Sequence, residues 1–104
     1  MEYQEGERKY YRGQWKNGLK HGKGRDVYDG EANYYEGHFD NGLRDGHGIL
    51  RLPEKNYSYD GHWSRDKMDG QGFVKYSDGS SYNGQFKENA FNGKVIPLFL
   101  DHHT

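Results

Sequence analysis

Residues 35–48 read YEGHFDNGLRDGHG, and this stretch carries the local signals of a β-hairpin. Residues 35–39 alternate ring, polar residue, glycine, polar residue and ring, which is the two-residue period of a strand. Asn41-Gly42 follows, and this pair adopts the positive φ angles of a tight hairpin turn at the least cost. Residues 46–52 then predict the return strand.

The same pattern recurs four times at a nearly fixed spacing. A Tyr-x-Gly-x-aromatic motif starts at Tyr11, Tyr35, Tyr59 and Tyr82, at intervals of 24, 24 and 23 residues, and a glycine stands seven residues after each aromatic. Such a period is typical of repeat arrays, in which each unit buries its apolar face against its neighbours. We therefore expect an all-β protein, an elongated single-layer antiparallel sheet of about four consecutive β-hairpins, slightly curved or twisted.

The repeats predict the boundaries along the chain. We expect them to fill residues 11–94, at about 11–34, 35–58, 59–81 and 82–94, or about eight strands in one sheet. Residues 1–10 predict a partial N-terminal unit or cap, and residues 95–104 a capping strand and tail. The last unit has lost its second glycine, because Val95 stands there. The apolar run at residues 95–100 is either a capping strand or a docking strand for a partner.

Two of the four turns depart from Asn-Gly. The third copy has Arg65-Asp66 and the fourth has Glu88-Asn89. Asp and Asn are the non-glycine residues that best tolerate left-handed backbone, so we predict the same turn in all four copies.

The glycines also have a predicted packing role. Tyr, Gly and aromatic share one face of the first strand of each hairpin, and the two glycines of Gly-x-Gly share a face of the second. We expect each ring to lie over a glycine of its neighbour, which has no Cβ to obstruct it. The rings and glycines are therefore expected first of all to build the repeat.

Composition excludes several classes of protein. Net charge is −1 and aromatic residues make up 16 %, ten of them tyrosine, a balance that argues against disorder. The absence of cysteine excludes a disulfide framework and a thiolate site, and an intracellular compartment is the default expectation. Residues 95–100 are too few to span a bilayer, and the first residues lack signal-peptide character, so a soluble chain is expected.

Catalysis, cofactors and metal binding are not expected. The chain lacks Gly-x-Ser-x-Gly, a phosphate loop and His-Glu-x-x-His, so we predict no enzyme and no cofactor. His38 and His62 occupy matching positions, but matching strands are ~9.5 Å apart, too far for both to hold one zinc ion easily. No nucleic-acid module is present and the pI is near 6.6.

The pattern Tyr-x-Gly-x-Trp/Phe with a following Gly-x-Gly resembles the MORN-repeat family, most closely at residues 11–24 and 35–48. The resemblance covers about residues 6–93. It implies a non-catalytic scaffold or adaptor whose grooved sheet face receives a partner helix or peptide. Members of this family occur in radial-spoke heads of cilia and flagella, in cytoskeletal scaffolds and in membrane tethers. A ciliary or flagellar axoneme, or another cytoskeletal assembly, is the expected setting.

The expected partner surface is the ring face, because half-buried tyrosine and tryptophan are enriched at protein interfaces. A helix or an extended segment could lie along it, and strand addition at residues 95–100 is a second route. The predicted contact residues are Tyr11, Trp15, Tyr35, Phe39, Tyr59 and Trp63, extended by Tyr28, Leu52 and Tyr76 on the return strands.

A peripheral membrane tether is the alternative function. Up to residue 25 the chain carries seven basic residues against three acidic ones, while residues 26–54 are acidic overall. Arg12 and Lys16 are expected on the face of the first strand opposite its rings. Such a patch could contact anionic lipid, through Arg8, Lys9, Arg12, Lys16, Lys20, Lys23 and Arg25.

Overall fold

The computed structural model describes residues 10–29, 32–91 and 93–95. Seven strands form one open antiparallel sheet in which the strand order equals the chain order. The prediction of an all-β sheet of consecutive hairpins is confirmed. The strands are β1 (Tyr10–Lys16), β2 (Leu19–Asp29), β3 (Asn33–Asp40), β4 (Leu43–Leu52), β5 (Tyr57–Ser64), β6 (Lys67–Tyr76) and β7 (Ser81–Phe86). A short 3-10 helix (Pro53–Lys55) joins β4 to β5.

All four tight turns have the predicted backbone, with positive φ at both central residues. In the second copy φ is 51° at Asn41 and 89° at Gly42. In the third copy φ is 48° at Arg65 and 77° at Asp66, and the fourth copy repeats this with 49° at Glu88 and 68° at Asn89. The prediction that the two departures from Asn-Gly keep the turn is therefore confirmed.

A row of glycines crosses the sheet from strand to strand. Gly37 of β3 pairs with Gly24 on one side and with Gly48 on the other. The full row is Gly13, Gly24, Gly37, Gly48, Gly61, Gly72 and Gly84. Its backbones approach so closely that a Cβ at Gly37 would overlap the backbone of Gly48.

The tyrosine of each repeat lies over this row, as the sequence predicts. A Cβ at Gly48 would overlap the Tyr35 ring, and one at Gly72 would overlap Tyr59. The Tyr35 hydroxyl donates a hydrogen bond of 2.9 Å to the carbonyl of His38. The other three tyrosines bond in the same way to the residue three positions on, at 2.7, 2.8 and 3.2 Å. The ring therefore packs on the glycine row while its polar end is satisfied.

The two glycines of Gly-x-Gly have different roles. The register shifts between Gly37 and Phe39, where β4 contains the extra residues of a bulge. The first glycine, Gly46, lies in this bulge with φ of 101°. The second, Gly48, lies under the tyrosine ring.

The fourth hairpin differs from the prediction of about eight strands in one sheet. Its return segment forms β8 (Ala90–Phe91), which pairs with β9 (Lys94–Val95) in a separate two-stranded sheet. Phe91 stacks on the Tyr82 ring, with ring centroids 4.2 Å apart and an interplanar angle of 13°. In a regular return strand Val95 would stand under the Tyr82 ring, as Gly48 stands under the Tyr35 ring. A Cβ at that place would overlap the ring.

The predicted N-terminal cap (residues 1–10) and the predicted strand at residues 95–100 lie largely outside the described residues. They stay predictions.

Candidate partner-binding face

The rings form a continuous ladder along one face of the sheet. Each motif tyrosine contacts the aromatic residue four positions on, and those of the first three repeats also contact the aromatic residue of the next repeat. Tyr35, for example, contacts Phe39 and Trp63. The ladder runs Trp15, Tyr11, Phe39, Tyr35, Trp63, Tyr59, Phe86 and Tyr82. Centroid separations are 4.8 to 5.4 Å and the rings meet edge to face, the favourable geometry for aromatic pairs.

The structure brings all nine predicted contact residues to this face, but it exposes them unequally. Five are buried within the chain: Tyr35, Phe39, Leu52, Tyr59 and Trp63. Tyr11, Tyr28 and Tyr76 are half-buried against the core, and Trp15 is 58 % exposed. The buried members hold the face together, so the surface that a partner could touch without rearrangement consists of the other four.

Two of the half-buried rings lie on return strands. Tyr76 packs against Tyr57 with centroids 6.3 Å apart, and Tyr28 lies against the core on the first return strand. Leu19, which the sequence analysis did not single out, is 45 % exposed and follows the first turn. Leu19 pairs with Lys16 whereas Trp15 pairs with Lys20, so Leu19 lies on the face opposite the rings. Trp15 is therefore the most exposed large apolar side chain of the ring face among the described residues.

A polar pair interrupts the ring face in the first repeat. Lys20 Nζ lies 2.6 Å from Asp26 Oδ2, and the two side chains are 31 % and 14 % exposed. Lys20 also lies over the Tyr11 and Phe39 rings, 5.5 and 5.9 Å from their centroids. Burial and then the Asp26 charge raise the pKa of the Tyr11 hydroxyl.

Sequence reasoning missed this pair, although the repeat alignment contains the signal. Asp26 stands at the position of Leu50 and Val74, and Lys20 at the position of Met68. At both aligned positions the first repeat has a charged residue and the third repeat has an apolar one. The face therefore changes from polar at the first repeat to apolar at the third.

A second ion pair joins neighbouring repeats. The Arg44 side chain is 4 % exposed, its Nε lies 2.6 Å from Asp66 Oδ1, and its guanidinium lies 4.9 Å from the centroid of Trp63. Burial alone would raise the pKa of the Asp66 carboxyl, but the hydrogen bonds and charge of Arg44 outweigh it, so the pKa lies below the ordinary value. The pair holds the turn of the third repeat against the second.

The second, third and fourth turns are also tied to the preceding repeat through the backbone. The second turn residue donates its N–H to the carbonyl of Lys20, Arg44 or Met68, at 2.8 to 2.9 Å. Where Asp or Asn replaces the glycine of the turn, its side chain accepts a second hydrogen bond from the same residue of the preceding repeat. Asp66 Oδ1 accepts from the Arg44 N–H at 3.1 Å, and Asn89 Oδ1 accepts from the Met68 N–H at 2.8 Å. The two departures from Asn-Gly thus add a link between repeats.

The predicted basic residues do not form one patch. Lys20 lies on the ring face, whereas Arg12 and Arg25 are register partners whose side chains stack on Tyr10 and Tyr34. Arg25 also lies 3.9 Å from Glu36. Lys16 and Lys23 are exposed, and Arg8 and Lys9 lie outside the described residues.

At the other end of the ring face lies an open cavity of about 440 Å³. Phe86 and Phe91 supply its apolar wall, and Asp69, Gln85 and Lys87 its polar rim. Its size suits one or two side chains of a bound segment.

Two further observations concern residues 10–29, 32–91 and 93–95. No group of three or more His, Cys, Asp or Glu side chains there is placed to hold a metal ion. Within the same ranges, no helix has the length and apolar character needed to cross a bilayer.

Comparison with known proteins gives one match. The model of the family described as MORN repeat matches residues 11–25, 35–57, 59–81 and 82–94. The matched segments begin at the four motif tyrosines that also begin the structural repeats. A search of curated proteins found no match.

Proposed function

This chain belongs to the MORN-repeat family, and from that premise we propose that it is a non-catalytic adaptor that binds a protein partner on its ring face. Repeats of this family often mediate protein or membrane interactions and are generally non-catalytic. The absence of catalysis in this particular chain is part of the proposal.

The observation that carries the proposal is the set of four aromatic side chains on the ring face that stay partly or largely exposed: Tyr11, Trp15, Tyr28 and Tyr76. Tyr11, Tyr28 and Tyr76 pack against the buried core, and Trp15 packs against Tyr11, so little side-chain freedom is lost when a partner contacts them. Tyrosine and tryptophan held in this way are the residues that contribute most at protein interfaces. A helix or an extended segment is the proposed occupant.

The two ends of this face differ in polarity, and this difference would orient a bound segment. The Lys20–Asp26 pair lies at one end and the Phe86–Phe91 cavity at the other. A partner segment with polar residues at one end and an apolar anchor at the other would match both. The proposed setting is an intracellular cytoskeletal assembly, with a cilium or flagellum as the leading case, on the strength of the family resemblance.

Photo-cross-linking from two faces of one strand tests the proposal. A benzoyl-phenylalanine at position 76 reports on the ring face, and the same residue at position 73 is the matched control. Phe73 is 38 % exposed and lies on the opposite face of β6. We expect a defined set of proteins cross-linked from position 76 and absent from position 73.

Binding to the purified partner completes the test. Tyr76→Ser should weaken the affinity ~10-fold, while Phe73→Ser leaves it unchanged. Equal cross-linking from both positions, or a partner that tolerates Tyr76→Ser and Trp15→Ser together, would contradict the proposal.

A membrane tether is a second candidate, favoured by the adjacent Arg12 and Arg25 on the face opposite the rings. Binding to vesicles that contain phosphatidylserine should then disappear at moderate ionic strength, because such contacts are screened by salt. Arg12→Glu should abolish it, and Arg51→Glu, another arginine on that face, serves as the control.

A further inference from the structure

Histidines of two neighbouring repeats meet on the face of the sheet opposite the rings. His47 of β4 and His62 of β5 are register partners, and their ring centroids lie 6.0 Å apart with an interplanar angle of 82°. Both side chains are exposed. The sequence analysis compared His62 with His38, which lies on β3. The strand between these two carries His47, so the closer pair follows from the register of the sheet and not from the repeat alignment.

The same register place is filled differently where other repeats meet. Lys23 pairs with His38 between the first and second repeats, and Gln71 pairs with Gln85 between the third and fourth. The Gln85 amide donates a hydrogen bond of 2.9 Å to Gln71 Oε1, so side chains at this place reach each other directly. Of these three junctions, the one between the second and third repeats has an imidazole on both strands.

The separation of these two imidazoles suits one metal ion between them. Zinc binds an imidazole nitrogen at ~2 Å, so two imidazoles on one ion have their centroids roughly 5 Å apart. The rings of His47 and His62 therefore need only a small approach, and exposed side chains change rotamer freely. Imidazole nitrogen is a ligand that suits both Zn²⁺ and Cu²⁺.

A carboxylate supports one of the two imidazoles. His47 Nε2 lies 3.1 Å from Asp60 Oδ1, and the two side chains are 59 % and 52 % exposed. Such a contact orients a ligating histidine and makes it a better ligand, and here it leaves Nδ1 of His47 for the ion. Asp60 is a supporting group and not a third ligand. This agrees with the absence, among the described residues, of a group of three or more side chains that could hold a metal ion.

We propose that His47 and His62 bind one divalent transition-metal ion, of the class of Zn²⁺ and Cu²⁺, with water in the remaining positions. The ion links β4 to β5, and therefore the second repeat to the third, on the face opposite the rings. Because the protein supplies two ligands, the site is weaker than a structural zinc site, which has four. The proposal is independent of the adaptor function.

Calorimetric titration with Zn²⁺ tests the proposal. His102 and His103 lie outside the described residues and also offer imidazoles, so both are replaced by glutamine in a parent chain that is otherwise wild type. We expect one ion per parent chain. His47→Gln and His62→Gln should each raise the dissociation constant ~10-fold or more. His38→Gln, which removes an exposed histidine of the same face outside the pair, is the matched control and should leave the constant unchanged.

The glutamine variants should fold like the parent chain, because Gln71 and Gln85 occupy the equivalent places in the third and fourth repeats. Three results would overturn the proposal: a parent chain that does not bind Zn²⁺, binding that is unchanged in His62→Gln, or binding that is lost in His38→Gln. One ion shared by two chains would also overturn it.

Electron paramagnetic resonance with Cu²⁺ counts the ligands independently of affinity. Cu²⁺ binds the same kind of nitrogen ligand and generally binds it more tightly than Zn²⁺ does. The spectrum of the parent chain should show two coordinated imidazole nitrogens, and that of His62→Gln should show one. The same number in both chains would exclude binding between the two histidines.

Discussion

At the residue scale, each repeat depends on the contact between one tyrosine and one glycine. Tyr35 covers Gly48, donates its hydroxyl to the His38 carbonyl and contacts two aromatic rings. The packing of ring on glycine could be predicted from the shared face of the two residues. The hydroxyl bond could not, because it depends on the bend of the backbone beside the glycine row.

Gly48→Val should destabilise the fold strongly. The new side chain would overlap the Tyr35 ring, which is fully buried and cannot move aside. We expect a loss of ~3 kcal/mol or more in the free energy of unfolding, measured by urea denaturation. Ser81→Val, which puts the same side chain at an exposed strand position, is the control. Equal stability of the two variants would refute the packing role of Gly48.

Tyr35→Phe separates the hydroxyl from the ring. The substitution keeps the aromatic contacts and removes the bond to the His38 carbonyl. We expect a loss of ~1 kcal/mol, because a part-buried hydrogen bond to the His38 carbonyl is removed. Tyr34→Phe, on the opposite face, should change stability by a few tenths of this. A larger effect at Tyr34 would show that the hydroxyl bond is unimportant.

At the element scale, the turn backbone could be predicted and the link between turns and strands could not. Asn-Gly and its replacements indicate positive φ from local chemistry. The bond from the Arg44 N–H to Asp66 joins residues 22 positions apart, which a local pattern does not contain. The short return strand of the fourth hairpin could be predicted only in part. The loss of its second glycine is visible in the sequence, whereas the stacking of Phe91 on Tyr82 is not.

Asp66→Gly should destabilise the protein although glycine is the commoner turn residue in this chain. The substitution removes the acceptor of the buried Arg44 guanidinium and of the Arg44 N–H. We expect a loss of ~2 to 3 kcal/mol, less than for a fully buried pair because Asp66 is 37 % exposed. Asn89→Gly removes one bond to a backbone N–H and should cost ~1 kcal/mol. The reverse order of the two variants would contradict this account of the turns.

The same ion pair predicts a dependence of stability on pH. The pKa of Asp66 is lower in the folded chain than its ordinary value of 3.8, because Arg44 outweighs the effect of burial. Its stabilisation is therefore complete above that ordinary value and is lost as pH falls through the lowered folded value. The stability difference between wild type and Asp66→Asn should shrink over this acidic window and stay constant from pH ~6 to ~8. A difference that is the same at all pH values would assign the effect to shape alone.

At the scale of the whole molecule, stability is expected to depend on position along the array. In the described residues each strand of the main sheet pairs with its sequence neighbours, so central repeats have support on two sides and terminal ones on one. The sequence period predicts this arrangement. The structure of the two ends of the array is harder to predict from this period, because the contacts of Trp15 and Tyr82 at the ends lie outside the repeat pattern.

Hydrogen exchange measures this gradient along the chain. In dilute solution, amides of β3 to β6 should exchange slowest, and those of β1 and β8 fastest, because opening an end breaks one interface while opening the centre breaks two. Uniform exchange along the array would instead indicate a single cooperative unit, in which the contacts between repeats are as strong as those within them.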